Sequence, residues 1–183
     1  MEGGAKFSLN RRYRYSLWRQ WDINRPAVTF ICLNPSTADE EVNDPTVRRC
    51  ITFAHAWGFG TCYLGNIFAL RGTNPSVLYD FDDPIGPDND TSLLDMSSIA
   101  ARVVVGWGNR GQLYNRGNYV LELISSKRPL YCFGRTKTGE PKHPLYLPRL
   151  AMVYQLGGEF DKLLLCKVEV GGNNGGWSQI LTE

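Results

Sequence analysis

An apolar run at residues 28–33, Val28-Thr29-Phe30-Ile31-Cys32-Leu33, stops abruptly at Asn34-Pro35-Ser36 and gives way to an acidic turn. Such a run, without polar alternation, fits a strand buried on both faces. Pro35 has no N–H to give a ladder and biases Asn34 toward extended backbone, so the strand ends there. The Asn34 side chain is thereby set at the carboxyl end of a buried strand, where open α/β sheets bind ligands.

The pattern then changes period. Asn43-Asp44-Pro45 reads as a helix start, with a capping acid and a proline at the first helical position. The helix extends to about Trp57 and stops at Gly58. Val47, Cys50, Ile51, Phe53, Ala54 and Trp57 share one arc of it, whereas Arg48, Arg49, Thr52 and His55 face the other way. A second strand covers 62–70, interrupted by Asn66, and Arg71-Gly72-Thr73-Asn74-Pro75 turns the chain into a short helix. After an acidic loop at 81–90, a helix capped by Asp88 or Asp90 runs through Ile99. A third strand at 101–106 leads into Trp107-Gly108-Asn109-Arg110-Gly111 and a helix around 119–124. A fourth strand at 130–134 feeds a basic loop that carries His143 directly before Pro144.

Every link between these four strands is long enough for a helix, and none is a tight hairpin. Parallel strands with right-handed crossovers and helices on both faces follow. Residues 7–26 alternate aromatic, basic and apolar side chains, as a strand or hairpin over one sheet edge does. Residues 160–170 read as another edge strand. The expected fold is α/β: a three-layer αβα domain around a central, mainly parallel four-stranded sheet, with N-terminal and C-terminal edge strands.

With 183 residues, 43% of them hydrophobic, the chain suits one such domain over residues 1–170, followed by a flexible Gly/Asn-rich tail at 171–183. The net charge of +2 confines any nucleic-acid surface to a local patch. MEGGAKFSLNRR lacks an apolar signal core and no stretch approaches a membrane span, so a cytoplasmic protein without a membrane partner is expected. The five cysteines are odd in number and include no C-x-x-C pair, which favours buried reduced thiols over a disulfide, a metal or an iron–sulfur cluster. No cofactor is implied.

The topology gathers Asn34, Asn66, Trp107 and His143 at one end of the sheet, with Pro35 and Ser36 beside them. Asn66 in an apolar strand demands a hydrogen bond, from a neighbouring loop or from the polar edge of a ligand. Asp39, five residues after Asn34, is the nearest carboxylate if a base is needed. Arg48, Arg49, Arg110, Arg135, Lys137 and Lys142 lie in or near the same loops, as phosphate contacts or as solvated charge. Trp18 and Trp21 either pack or form an aromatic strip beside a nucleic-acid groove. His55 reads as a surface residue.

Four segments together resemble a family of small bacterial and phage proteins catalogued as a domain of unknown function. They are Arg14-Tyr15-Ser16-Leu17-Trp18-Arg19, the run LNPSTADEEVNDPTVRR at 33–49, Gly86-Pro87-Asp88-Asn89-Asp90, and His143-Pro144-Leu145-Tyr146-Leu147. The resemblance spans roughly residues 11–150. That family in turn resembles a distant branch of the uracil-DNA glycosylase superfamily. Leu33-Asn34-Pro35-Ser36 is similar to the water-positioning motif of the mismatch-specific branch, with Cys32 in place of its leading glycine. His143-Pro144 is similar to the motif whose histidine supports the departing base, with Leu145 where a serine is usual. Val105-Gly106-Trp107-Gly108 is similar to the tryptophan-glycine segment that ends the third core strand. No aspartate occupies the Asn34 position.

The resemblance implies a DNA base N-glycosylase. It would act on a flipped, modified or damaged base, in repair or in surveillance of foreign DNA. Asn34 would hold the water, His143 would face the leaving base, and Asn66 would read its edge. An N-glycoside hydrolase or transferase on free nucleosides or nucleotides, and a non-catalytic nucleic-acid-binding module, are the alternatives.

Overall fold

The structure, a computed structural model, describes residues 1–156; the strand expected at 160–170 and the tail at 171–183 lie outside the described residues. Seven strands form one mixed sheet: β1 (Glu2–Phe7), β2 (Arg14–Gln20), β3 (Ala27–Cys32), β4 (Thr61–Asn66), β5 (Arg102–Val105), β6 (Leu130–Cys132) and β7 (Tyr154–Gln155). Their order is β1-β2-β4-β3-β5-β6-β7. Three helices accompany them, α1 (Pro45–Ala56), α2 (Asn89–Ile99) and α3 (Arg116–Ser125). The fold is α/β, with a mixed sheet of seven strands among the described residues where the sequence predicts a mainly parallel four-stranded centre with N-terminal and C-terminal edge strands. β3 pairs in parallel with β4 and β5, and β5 in parallel with β6. β1, β2 and β7 pair antiparallel.

The strand alternation divides the core between the two faces of the sheet. Val28, Phe30 and Cys32 of β3, with Cys62, Leu64 and Val104, meet Val47, Cys50 and Phe53 of α1. Ile31, Val103 and Val105 point the other way, against Leu93 and Met96 of α2 and Val120 and Ile124 of α3. This two-sided burial explains the unbroken apolar run of β3. Its one internal hydroxyl is satisfied, because Thr29 Oγ1 donates to the Met96 carbonyl at 2.8 Å. α1 starts where the sequence sets it: Asp44 Oδ1 accepts from the Val47 N–H at 2.9 Å, with Pro45 in the first turn.

Two elements depart from expectation. β4 ends at Asn66 and not at residue 70, because its partner β3 has ended. Beyond it Ile67 and Phe68 still donate to the Cys32 and Leu33 carbonyls, and Leu70 then bridges to Tyr13. The N-terminal hairpin begins earlier than the alternation suggests, with β1 outside β2. Its Gly3 and Gly4 lie beneath the Arg19 and Trp18 side chains, where a Cβ would meet side-chain atoms at 2.8 Å in each case.

β2 contributes two buried arginines, each 3% exposed. Arg14 Nη1 donates to the Ala38 carbonyl at 3.0 Å and Nη2 to Asn66 Oδ1 at 3.2 Å. Arg19 donates to the Asp39 carbonyl at 2.7 Å and to Asn43 Oδ1 at 2.9 Å. Burial lowers Arg14 to about 10, against the pull of Asp44, so it stays charged at neutral pH. Arg14→Ala should therefore lower stability by about 2–4 kcal/mol, since it leaves two buried acceptors without donors. A urea titration checks this, and an unchanged midpoint would show that the guanidinium does not secure the loop.

Candidate active site

An open cleft of about 880 Å³ lies at the carboxyl ends of the parallel strands. Asn34 enters it from the end of β3, Trp107 from the end of β5, and His143 from the loop after β6. Ser36, Arg110 and Lys142 also line it. Six of the residues singled out in the sequence thus share one cavity.

Asn34 is held by its donor side. Its Nδ2 donates to the Gly72 carbonyl at 2.9 Å and to the Pro35 carbonyl at 3.2 Å. The Pro35 carbonyl also accepts from the Gly72 N–H at 2.8 Å. Pro35 is thus a buried backbone anchor and does not line the cleft. Among the described residues no donor reaches Asn34 Oδ1, which leaves the amide oxygen as an acceptor.

The loop bearing His143 is brought close by two glycines. A Cβ on Gly106 would sit 2.7 Å from the Lys142 carbonyl oxygen, so only glycine lets the backbones touch there. Gly108, at φ +71, donates its N–H to the Pro141 carbonyl at 2.8 Å. Trp107 is 2% exposed, and its Nε1 donates to Glu140 Oε2 at 2.7 Å. Its indole is fixed as part of the cleft wall. His143 caps the turn Pro144–Tyr146, with its Nδ1 accepting from the Leu145 N–H at 3.3 Å. In the neutral ring the proton then belongs on Nε2, which makes that nitrogen a donor.

Behind His143 lies a pair of buried thiols. Hydrogen bonds from Cys50 and from the His143 ring hold the Cys32 thiol down to about 6, against burial. Burial and the neighbouring sulfur push Cys50 up. Cys32 stands where the similar motif has glycine, yet its side chain packs into the α1 layer and does not line the cleft. The four described cysteines are free and buried.

The other sequence candidates lie outside the cleft lining. Asn66 is buried at the end of β4, with its Oδ1 taken by Arg14. Asp39 turns into its own loop, accepting from Val42 N at 2.7 Å and Glu41 N at 3.0 Å. These amides hold its carboxyl below the usual range, which makes it a weaker base. Arg48 donates to the Asn43 carbonyl, and Arg49 donates to the Leu147 carbonyl with its guanidinium over Phe53. Arg135 closes a turn on the Gly139 carbonyl at 2.7 Å. Lys137 is exposed in the same turn. His55 is exposed and stacks on Trp21 at 3.9 Å.

Conversely, the cleft includes Asp44, Thr46, Thr136 and Tyr146, which the sequence pattern did not mark as site residues. For Asp44 a signal existed, since a cap on the helix that follows a site strand faces the same end of the sheet. Among the described residues no helix is long and apolar enough to cross a membrane. No group of three or more His, Cys, Asp or Glu residues there could hold a metal ion.

Residues 14–145 match the model of a family described as "Protein of unknown function (DUF1643)". No curated protein and no solved structure matches the chain.

The Cys32 environment carries a pH signature. Unfolding returns the thiol toward its ordinary 9.0 from about 6. The fold favours the charged form, so this contribution is complete above the unfolded value, shrinks as pH falls, and is lost below the folded one. Cys50, raised in the fold, opposes it only where the unfolded thiol ionises, near its ordinary 9.0 and above. Cys32→Ser should therefore flatten the rise in urea midpoint between about pH 6 and 8.5 relative to the unaltered chain. An identical slope in both proteins would remove Cys32 as its source.

Proposed function

The chain belongs to the DUF1643 family, and we propose that its cleft hydrolyses the N-glycosidic bond of a modified or damaged base flipped out of DNA. The observation that carries this proposal is the meeting of Asn34 and His143 in one open cleft with Arg110 and Lys142 at its side. Support comes also from the similarity of Leu33-Asn34-Pro35-Ser36 and His143-Pro144 to two motifs of the uracil-DNA glycosylase superfamily. Parallel strands between helices on both faces are compatible with that superfamily's αβα architecture.

The chemistry follows from charge. As the bond to the base breaks, positive charge develops on the sugar and negative charge on the base. A donor at the base carbonyl stabilises the latter in the manner of an oxyanion hole, and His143, which lines the cleft, takes that role when its ring turns from the Cys32 sulfur to the base. Asn34, anchored through Nδ2, offers Oδ1 to a water and fixes its direction of attack. The cleft, at about 880 Å³, falls in the upper part of the roughly 300–1,000 Å³ range of ligand sites, with room for an enlarged base. Base recognition passes from Asn66, which Arg14 occupies, to groups of the cleft wall. Lys142 and Arg110 are exposed cations suited to the phosphates of the flanking strand.

An alkali-cleavage assay for abasic sites, on duplexes bearing deaminated, alkylated, hydroxymethylated or glucosylated bases, tests the proposal. Cleavage at one base is expected, reduced about 100- to 1,000-fold by Asn34→Ala or His143→Ala with the fold intact. Full turnover in both variants would remove these residues from the reaction. Turnover of free nucleosides without salt-dependent DNA binding would reassign the substrate. In titrations over a range of salt, Lys142→Ala should lower the slope of log affinity against log salt by about 1. An unaltered slope would take Lys142 off the backbone path.

A further inference from the structure

We infer that Asp44, the cap of α1, is the carboxylate that faces the developing sugar cation and takes the proton of the attacking water. Resting on the glycosidase proposal above, this extends it to a residue outside the two glycosylase-like motifs, Leu33-Asn34-Pro35-Ser36 and His143-Pro144. Among the described residues, Asp44 is the one acid that lines the cleft. The acids around it are committed elsewhere: Asp39 to its own loop, Glu40 to Arg11 at 2.8 Å, and Glu140 to Trp107.

Its geometry leaves one oxygen for chemistry. Asp44 is 5% exposed, and its Oδ1 accepts from the Val47 N–H. Among the described residues no donor reaches Oδ2. Oδ2 is not among the side-chain atoms sealed from solvent without a partner, and Asp44 lines the cleft, so a water or a ligand there can reach this oxygen. Two features place positive charge beside the carboxylate: the N-terminal end of the 12-residue α1 and the guanidinium of Arg14, which interacts with it. A fixed anion on the cleft floor attracts a cationic sugar more strongly than it attracts the neutral substrate, which is the difference that lowers a barrier.

The step balances without any further reactant. The C1′–N bond breaks and its electron pair leaves with the base, which His143 supports. Water then forms the C1′–O bond while one of its protons passes to Asp44 Oδ2. That proton later leaves for the departed base or for solvent. The products are an abasic sugar and a free base.

Asp44→Asn separates this role from capping, because asparagine caps a helix as well as aspartate does. The probes are two duplexes that need no knowledge of the natural base. One carries a cationic pyrrolidine at the abasic position, the other a neutral tetrahydrofuran. The unaltered protein should bind the pyrrolidine duplex about tenfold or more tightly than the tetrahydrofuran duplex. In Asp44→Asn the two affinities should converge through loss of the pyrrolidine preference alone. Asp44→Ser, also cap-competent, serves if the first variant does not fold. Equal binding of both duplexes by the unaltered protein, or a preference that survives substitution, would overturn the role of Asp44 and leave a DNA site standing. Binding of neither duplex would overturn the glycosidase proposal and this inference with it.

Discussion

The site depends on two guanidinium groups sunk into the protein from an edge-side strand. Arg14 and Arg19 of β2 reach beneath the loop between β3 and α1 and hold its carbonyls at Ala38 and Asp39 and its amide at Asn43. Taking an arginine out of water is costly unless several acceptors meet it, and here each has at least two. The planar fork of arginine suits the task because it binds several carbonyls at fixed angles, which a lysine ammonium does not. A loop carrying five acidic or amide side chains between Asp39 and Asp44 would otherwise stand free in water. Pinned from below, it delivers Asn34 at one end and Asp44 at the other to the same cleft.

The opposite wall is built by close approach. Gly106 and Gly108 let the segment before His143 press against the end of β5, and Trp107 ties into that segment through Glu140. The histidine therefore stands on a short proline-stiffened turn between a hydrogen-bonded tryptophan and a buried thiol pair. Such a wall is held by hydrogen bonds and close backbone packing within the chain itself. The two walls come from segments about 100 residues apart in the chain, and the parallel sheet joins them because its strands all end on the same side.

Much of this was legible in the sequence because it is local. The stop at Pro35, the cap at Asp44, the apolar arc of α1 and the placement of His143 before Pro144 follow from propensities of neighbouring residues. The convergence of Asn34, Trp107 and His143 needed only the parallel topology. What stayed hidden depends on partners far apart in sequence. Asn66 and Arg14 are 52 positions apart, and nothing in either segment announces that they bond. Arg48, Arg49 and Arg135 resemble phosphate contacts by position, yet each spends its guanidinium on a carbonyl of this chain. β1 was obscured by Gly3 and Gly4, poor strand formers present because Trp18 and Arg19 cross above them.

The distribution of charge in the cleft bears on its chemistry more than any single residue does. Exposed cations, Lys142 and Arg110, line it, whereas Asp44, the one acid among its described lining residues, is buried at the N-terminus of α1. A site meant only to bind a polyanion would gain from cations throughout and would lose by an anion on its floor. An acid retained there makes sense if positive charge appears inside the cleft after an anionic ligand has docked against its rim. Cleavage of an N-glycosidic bond produces that order of events, with phosphates outside, a cationic sugar within, and the negative base departing toward a histidine. On the proposed reaction, such an arrangement would cost ground-state affinity and return it in the transition state.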